Sequence, residues 1–217
     1  MDRVKEMKKV IFSAMIAAAV AANAQQVFYD NGAPDQQNGN EMTNWMQTED
    51  FVIRQDTPWF DLHFWTIEAP GAFFDNSMYV ALYDDNGGEP GNILADGTFT
   101  SGVNMTKTLV GGGVLGFFDE YRYDLQISGY VLSAGVQYHL GLHANPSNNY
   151  GTRDEIYWET TGFNGTNTGM ESFGGSAGPW ANNGNEHAFQ LTTVPEPASM
   201  VALGAGLLAV ARRRRNK

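Results

Sequence analysis

The stretch Trp59-Phe60-Asp61-Leu62-His63-Phe64-Trp65-Thr66-Ile67 decides the fold class. Side chains alternate along a strand, so Phe60, Leu62 and Phe64 share one face while Trp59, Asp61, His63 and Trp65 share the other. An apolar face backed by a mixed one marks a half-buried strand of an antiparallel sheet. The same period recurs outward from there. In residues 120–128, Tyr121, Tyr123, Leu125 and Ile127 alternate with Glu120, Arg122, Asp124 and Gln126. Residues 135–144 place Val136, Tyr138, Leu140 and Leu142 inside, with Gln137, His139 and His143 outside. Residues 77–85, SMYVALYDD, are apolar on both faces, as in an inner strand. EIYWET (155–160) and HAFQLT (187–192) supply further strands. Glycine, asparagine and aspartate punctuate these runs as turns require, and no body segment sustains a 3.6-residue period. The expected fold is all-β: an antiparallel β-sandwich, jelly-roll-like in its winding. Residues 162–185 read as one long Gly/Asn-rich loop, of the kind that is functional or disordered.

The two ends read differently. Lys8 and Lys9 precede an apolar run over 10–22, followed by Ala22-Asn23-Ala24. A basic segment, an apolar helix and an A-x-A site form a secretory signal peptide, which predicts cleavage by signal peptidase after Ala24. At the other end, residues 198–211 carry no charge. As a helix they would span only ~21 Å, against a bilayer core of ~30 Å. They therefore form a marginal transmembrane anchor, with Arg212, Arg213, Arg214, Arg215 and Lys217 held on the cytoplasmic side of the inner membrane. The domain reading is signal peptide 1–24, β-sandwich 25–193 and anchor segment 194–217.

The tail runs Val194-Pro195-Glu196-Pro197, then a glycine-bearing apolar helix, then the arginine cluster. In that order it resembles the PEP-CTERM sorting signal of exported Gram-negative bacterial proteins. The resemblance covers about the last 24 residues. It implies that Pro195, Glu196 and Pro197 are recognised by a membrane-bound processing enzyme, an exosortase, and that the chain is exported alongside exopolysaccharide. The prolines keep the motif out of a helix and bias Val194 towards an extended form, which suits capture by such an enzyme. The body also resembles sandwich domains found in exported bacterial proteins with sorting tails; that likeness implies a fold and no activity.

Between the ends the charge is one-sided. Residues 25–193 hold Arg54, Lys107, Arg122 and Arg153 against 21 acidic residues, a net charge of −17. Such a body does not bind nucleic acid by neutralising phosphates. Its self-repulsion predicts a soluble monomer. The chain has no cysteine, so no disulfide staples it, and about 169 residues suffice for a core without one.

Candidate sites are few. Asp84, Asp85, Asn86 and Glu89 gather oxygen donors in one loop and form a candidate calcium site, although Gly87 and Gly88 also read as a plain hairpin turn. No other cofactor is expected. His139 and His143 lie four apart, a metal-ligand spacing on a helix; on a strand they stand ~13 Å apart and cannot share an ion. Trp59, Trp65 and Trp158, with Tyr157 beside the last, are candidate sugar-stacking rings or else core aromatics. Asp119-Glu120 and Asp154-Glu155 would be split across strand faces. No P-loop or cysteine nucleophile occurs, and 21 acids make some glycosidase-like pair inevitable, so spacing alone carries no signal. The expectation is a non-enzymatic surface or matrix protein, with a carbohydrate-binding module second and a glycan-acting hydrolase third.

Overall fold

The computed structural model describes residues 25–58, 60–72, 77–127, 130–145, 150–151, 153–162 and 168–193. Val27–Thr193 form one compact unit with a complete core. The expected signal helix and tail helix, the cleavage residues Ala22 and Ala24, and the sorting residues lie outside the described residues, as does Trp59.

Among the described residues, thirteen strands follow in order: β1 (Val27–Asp30), β2 (Pro34–Glu41), β3 (Trp45–Val52), β4 (Phe60–Glu68), β5 (Ser77–Asp85), β6 (Pro90–Thr100), β7 (Met105–Val114), β8 (Phe118–Ile127), β9 (Gln137–Ala144), β10 (Ile156–Thr161), β11 (Met170–Phe173), β12 (Ala181–Asn182) and β13 (Phe189–Thr193). They build two antiparallel sheets. The first is organised around β4. One edge of β4 pairs with β8 from Phe60↔Ile127 to Glu68↔Asp119, and β8 then pairs with β7. The other edge forks: Phe60–Phe64 pair with β13, which pairs with β1, whereas Thr66–Glu68 pair with β10, which pairs with β2. Trp65 stands at the fork. The second sheet runs β12-β11-β3-β9-β5-β6.

The alternation read from 59–67 sets the inner face. Phe60, Leu62 and Phe64 are buried against Phe51, Val80, Leu82, Tyr138, Leu140 and Leu142 of the second sheet. Phe64 stacks on Tyr123 at 5.0 Å, and Phe51 meets Phe189 edge-on at 6.0 Å across the sandwich. β5 is buried on both faces over Ser77–Tyr83, as its composition predicts.

Four expectations need correction. Val136 was placed inside, but it precedes β9 in a turn and is 43% exposed. His139 and His143, read as outward-facing and exposed, do face outward and yet are fully buried. Their face carries a second small core of Met46, Tyr79, Ala81 and Tyr83, onto which Tyr150 and Trp180 pack. Tyr150 lies 3.8 Å from the His143 ring, and Trp180 comes from the supposed loop over 162–185, which contains β11 and β12; β11 extends the sheet, pairing with β3 from Met170↔Thr48 to Phe173↔Trp45. Finally, Asp154 and Glu155 precede β10 and are not on a strand.

Candidate functional site

β5 leads into a tight turn before β6. Asn86 N–H donates to the Glu89 carbonyl at 2.8 Å. Gly87 and Gly88 have φ of 73° and 94°, a region that favours glycine. The Asp85 carboxylate accepts from Gly88 N–H at 3.0 Å and from the buried His139 Nε2 at 3.0 Å. The His139 hydrogen bond, more than any other contact, holds the Asp85 carboxyl below its ordinary range. Asp84 accepts from the Asn92 backbone at 2.5 Å and from its side-chain amide at 3.0 Å. A Cβ on Gly91 would fall 2.2 Å from Asp84 Oδ1, so this grip requires glycine there. Two of the oxygen donors proposed for calcium, Asp84 and Asp85, thus shape the turn. Among the described residues, no group of three or more His, Asp or Glu side chains is placed to hold a metal ion.

The turn forms one wall of an open cleft of about 670 Å³. Ala177, Pro179 and Trp180 form the opposite wall. The half-buried Trp180 indole stands edge-on to Tyr83 at 5.5 Å, and Tyr83 O–H donates to the Ser176 carbonyl at 2.9 Å. Buried Tyr83 therefore fixes one wall, while buried His139 fixes the other through Asp85. A flat ring facing carboxylates and the amides of Asn86 and Asn92 can stack on a sugar ring while bonding its hydroxyls. The sequence reading missed Trp180. The available signal was an isolated Pro-Trp pair inside a run of glycine, serine and asparagine.

Trp65 and Trp158 do not share a face, and Trp59 lies outside the described residues. Trp158 is fully buried, donates its indole N–H to the Ala188 carbonyl at 3.0 Å and stacks on His187 at 4.5 Å. It fills the core and offers no face to a sugar. Trp65 points to the opposite side of the first sheet and is half-buried, with the Arg122 guanidinium 5.8 Å from its ring. Tyr157 is half-buried and binds Glu155 and Arg153 through its hydroxyl.

Beside Trp65, His63 contacts Asp124 through Nδ1 and Thr192 Oγ1 through Nε2 at 2.8 Å. Arg122 Nε donates to the same Asp124 oxygen at 2.8 Å. Burial raises the Asp124 carboxyl, but the hydrogen bond from His63 and the Arg122 charge outweigh it and leave the group below its usual range. Hydroxyl, imidazole and carboxylate in that order are the arrangement of a nucleophilic triad. Here the hydroxyl belongs to a buried mid-strand residue paired with Asp61 of β4. An acyl group cannot reach it, so the trio ties β13, β4 and β8 together.

Two buried acids deserve the same scrutiny. Glu159 is fully buried, and burial, helped by the neighbouring Glu120 charge, pushes its carboxyl up to about 8. Gln36 bridges the two, its backbone N–H donating to Glu159 at 2.9 Å and its amide to Glu120 at 2.8 Å. A raised acid beside a second carboxyl is half of a glycosidase, but both groups are buried beneath β2. Between the sheets, Glu49 and His187 sit 2.8 Å apart with no exposure. Burial, then the Glu186 charge, raises Glu49 well above its range, and burial lowers His187 to about 3. Both shifts favour the uncharged form of each group. His187 Nε2 faces the Asn40 oxygen at 3.2 Å, and the same Glu49 oxygen accepts from the His187 backbone N–H at 2.9 Å.

β13 ends at Thr193, and the tail begins there. Residues 193–215 match the PEP-CTERM protein-sorting motif. The match contains Pro195, Glu196, Pro197 and the four arginines singled out from the sequence. The motif implies export, transient membrane anchoring through the tail, and sorting and processing by an exosortase. No curated protein matches the chain.

Proposed function

We propose that this protein is a non-enzymatic structural or adhesive component of the cell surface or extracellular matrix, associated with exopolysaccharide. Signal peptidase removes residues 1–24. The apolar run over 198–211 then holds the chain in the inner membrane, with Arg212–215 inside, until an exosortase cuts near Pro195-Glu196-Pro197. The released body, a jelly-roll-like sandwich over 25–193, is the working part. The observation that carries this reading is the sorting motif at residues 193–215, which opens on the last residue of the last strand. Mass spectrometry of the termini, from membrane and extracellular fractions, tests it. The expected extracellular form starts at Gln25 and ends near Pro197. A chain that keeps Arg212–215 and occurs only in the membrane fraction rules out release.

A second reading is a carbohydrate-binding module. It is supported by the Trp180 cleft, whose rigid walls place an aromatic ring opposite Asn86, Glu89 and Asn92. With three carboxylates and no base along it, the cleft suits neutral or amino sugars over acidic ones. Affinity electrophoresis through neutral and through acidic polysaccharide separates the cases. Retardation in the neutral gel that Trp180→Ala abolishes supports a binding module. Equal mobility of both proteins in every gel removes it.

A further inference from the structure

Among the described residues, each sheet has an unpaired edge on the same side of the sandwich. β6 ends the second sheet and β7 ends the first, and the turn 101–104 joins them. Their free backbone groups are a template for another strand. Long, exposed edges are normally protected by charge or proline; here the proline, Pro90, stands only at the first residue of β6. Residues 91–118 hold one acid and one base, Asp96 and Lys107, in a body of net charge −17. Both charges are turned away from the edge. Asp96 accepts from Tyr79 O–H at 2.8 Å on the outer face, and Lys107 binds Glu68 at 2.6 Å on the inner face.

The same stretch concentrates apolar surface. Ile93, Val103, Leu109, Val110, Leu115 and Phe117 are six of the eleven exposed large hydrophobic residues among those described. An inter-sheet cavity of about 400 Å³ also lies along this side. β6 leaves it room because Ala95 and Gly97, its inner residues opposite Leu82 and Val80, are small.

We propose that this side is the interface of a two-fold dimer of the protein, in which the β6 and β7 edges pair antiparallel with those of a second copy. The choice of occupant follows from charge. Over most of its surface a second copy is repelled; through this neutral window it is not. The edge groups need a strand, and the copy brings one of the same apolar character. Net charge alone predicts a monomer, but its distribution leaves one direction of approach open. Pairing also places the partner over the cavity's side of the sandwich.

Sedimentation velocity on residues 25–193, whose core is complete within Val27–Thr193, tests the proposal from about 1 to 100 µM, the range that weak to standard interfaces span. A monomer–dimer equilibrium is expected, tightening as salt screens the acidic bodies. Ile93→Lys and Leu109→Lys, both at exposed positions, are each expected to weaken it at least about tenfold, since an edge lysine blocks strand pairing. Phe173→Lys, on a different edge, is expected to leave it unchanged, and unaltered melting temperatures show that all three variants fold. Concentration-dependent protection of β6 and β7 amides from hydrogen exchange is the second readout. A monomer throughout the range, lysine variants that dimerise like the parent, or growth into open fibres overturns the closed dimer.

Discussion

The outer faces of the two sheets are built from similar residues and are covered to different extents: on the first, His63, Glu120, Glu159 and Thr192 are buried but several neighbours are not. On the second sheet, His139, His143, Tyr79 and Tyr83 face outward and are all buried, and Tyr150 and Trp180 pack over that face. On the first sheet, Asp61, Trp65, Arg122 and Asp124 face outward with only one another and β2 for cover, and remain half-exposed. Strand alternation tells which side a residue faces. Whether that side meets water depends on chain far away in sequence. The covered face supports the cleft; the open face holds strands together through polar contacts.

If the cover is structural, the largest loss should come from the ring beneath it. Tyr83→Ala removes a buried ring that abuts Trp180 and holds Ser176, and it opens space above Gly141, whose added Cβ would lie 2.7 Å from that ring. A loss of about 4 kcal/mol is expected, together with loss of any sugar binding by the cleft. Urea unfolding measures the first and affinity electrophoresis the second. A change below about 1 kcal/mol, the scale of one hydrogen bond, would mean that the segment over 174–180 rests on the sheet without being part of it.

The next effect tests the acid buried under β2 on the first sheet. The Glu159 carboxyl is raised when folded, so the folded state holds its proton to higher pH than the unfolded chain does. Its contribution is then fully present below about 4.5 and is lost as pH rises towards 8. His187 has the opposite slope, since its lowered folded value costs stability as pH falls from 6.5 towards 3. Maximum stability is therefore expected near the crossing of the two, on the acid side of neutral. Glu159→Gln should raise stability at pH 8 by about 3 kcal/mol and leave it nearly unchanged at pH 4.5. Thermal melts of both proteins across that range check it. Equal slopes for the two proteins would mean that water reaches Glu159 through β2.

What was legible in the sequence follows the same division. The inner faces of β4, β5, β8 and most of β9 could be read because each faces an entire opposing sheet, so two-residue periodicity and burial coincide. The tail could be read because a sorting motif is linear and needs no fold to be recognised. Burial of His139 and His143 was not legible, because the residues that pack over that face, Tyr150 and Trp180, come from segments with no period of their own. Trp158 was ambiguous between core and sugar platform; its pairing with Thr66 of β4, which sets it on the inner face, is a tertiary fact. The cleft was half legible: its acidic wall stood out as a cluster of oxygen donors, but not the aromatic wall, some 90 residues later.

The smallest effect is expected on the open face, and it bears most directly on the comparison. Arg122 lies 5.8 Å from the Trp65 ring and 2.8 Å from Asp124, with its side chain 38% exposed. An exposed cation–π contact and an exposed ion pair each contribute about 1 kcal/mol or less. Arg122→Ala should therefore cost about 1 kcal/mol at low salt and less at high salt, where screening weakens what the side chain supplies. Urea unfolding at two ionic strengths reads both numbers. A salt-independent loss of several kcal/mol would show that the His63–Asp124–Thr192 trio cannot hold β13 to β4 without the guanidinium. The first sheet would then depend on its outer face as heavily as the second does, and the contrast would lie only in the material, polar contacts on one side and a folded-back chain on the other.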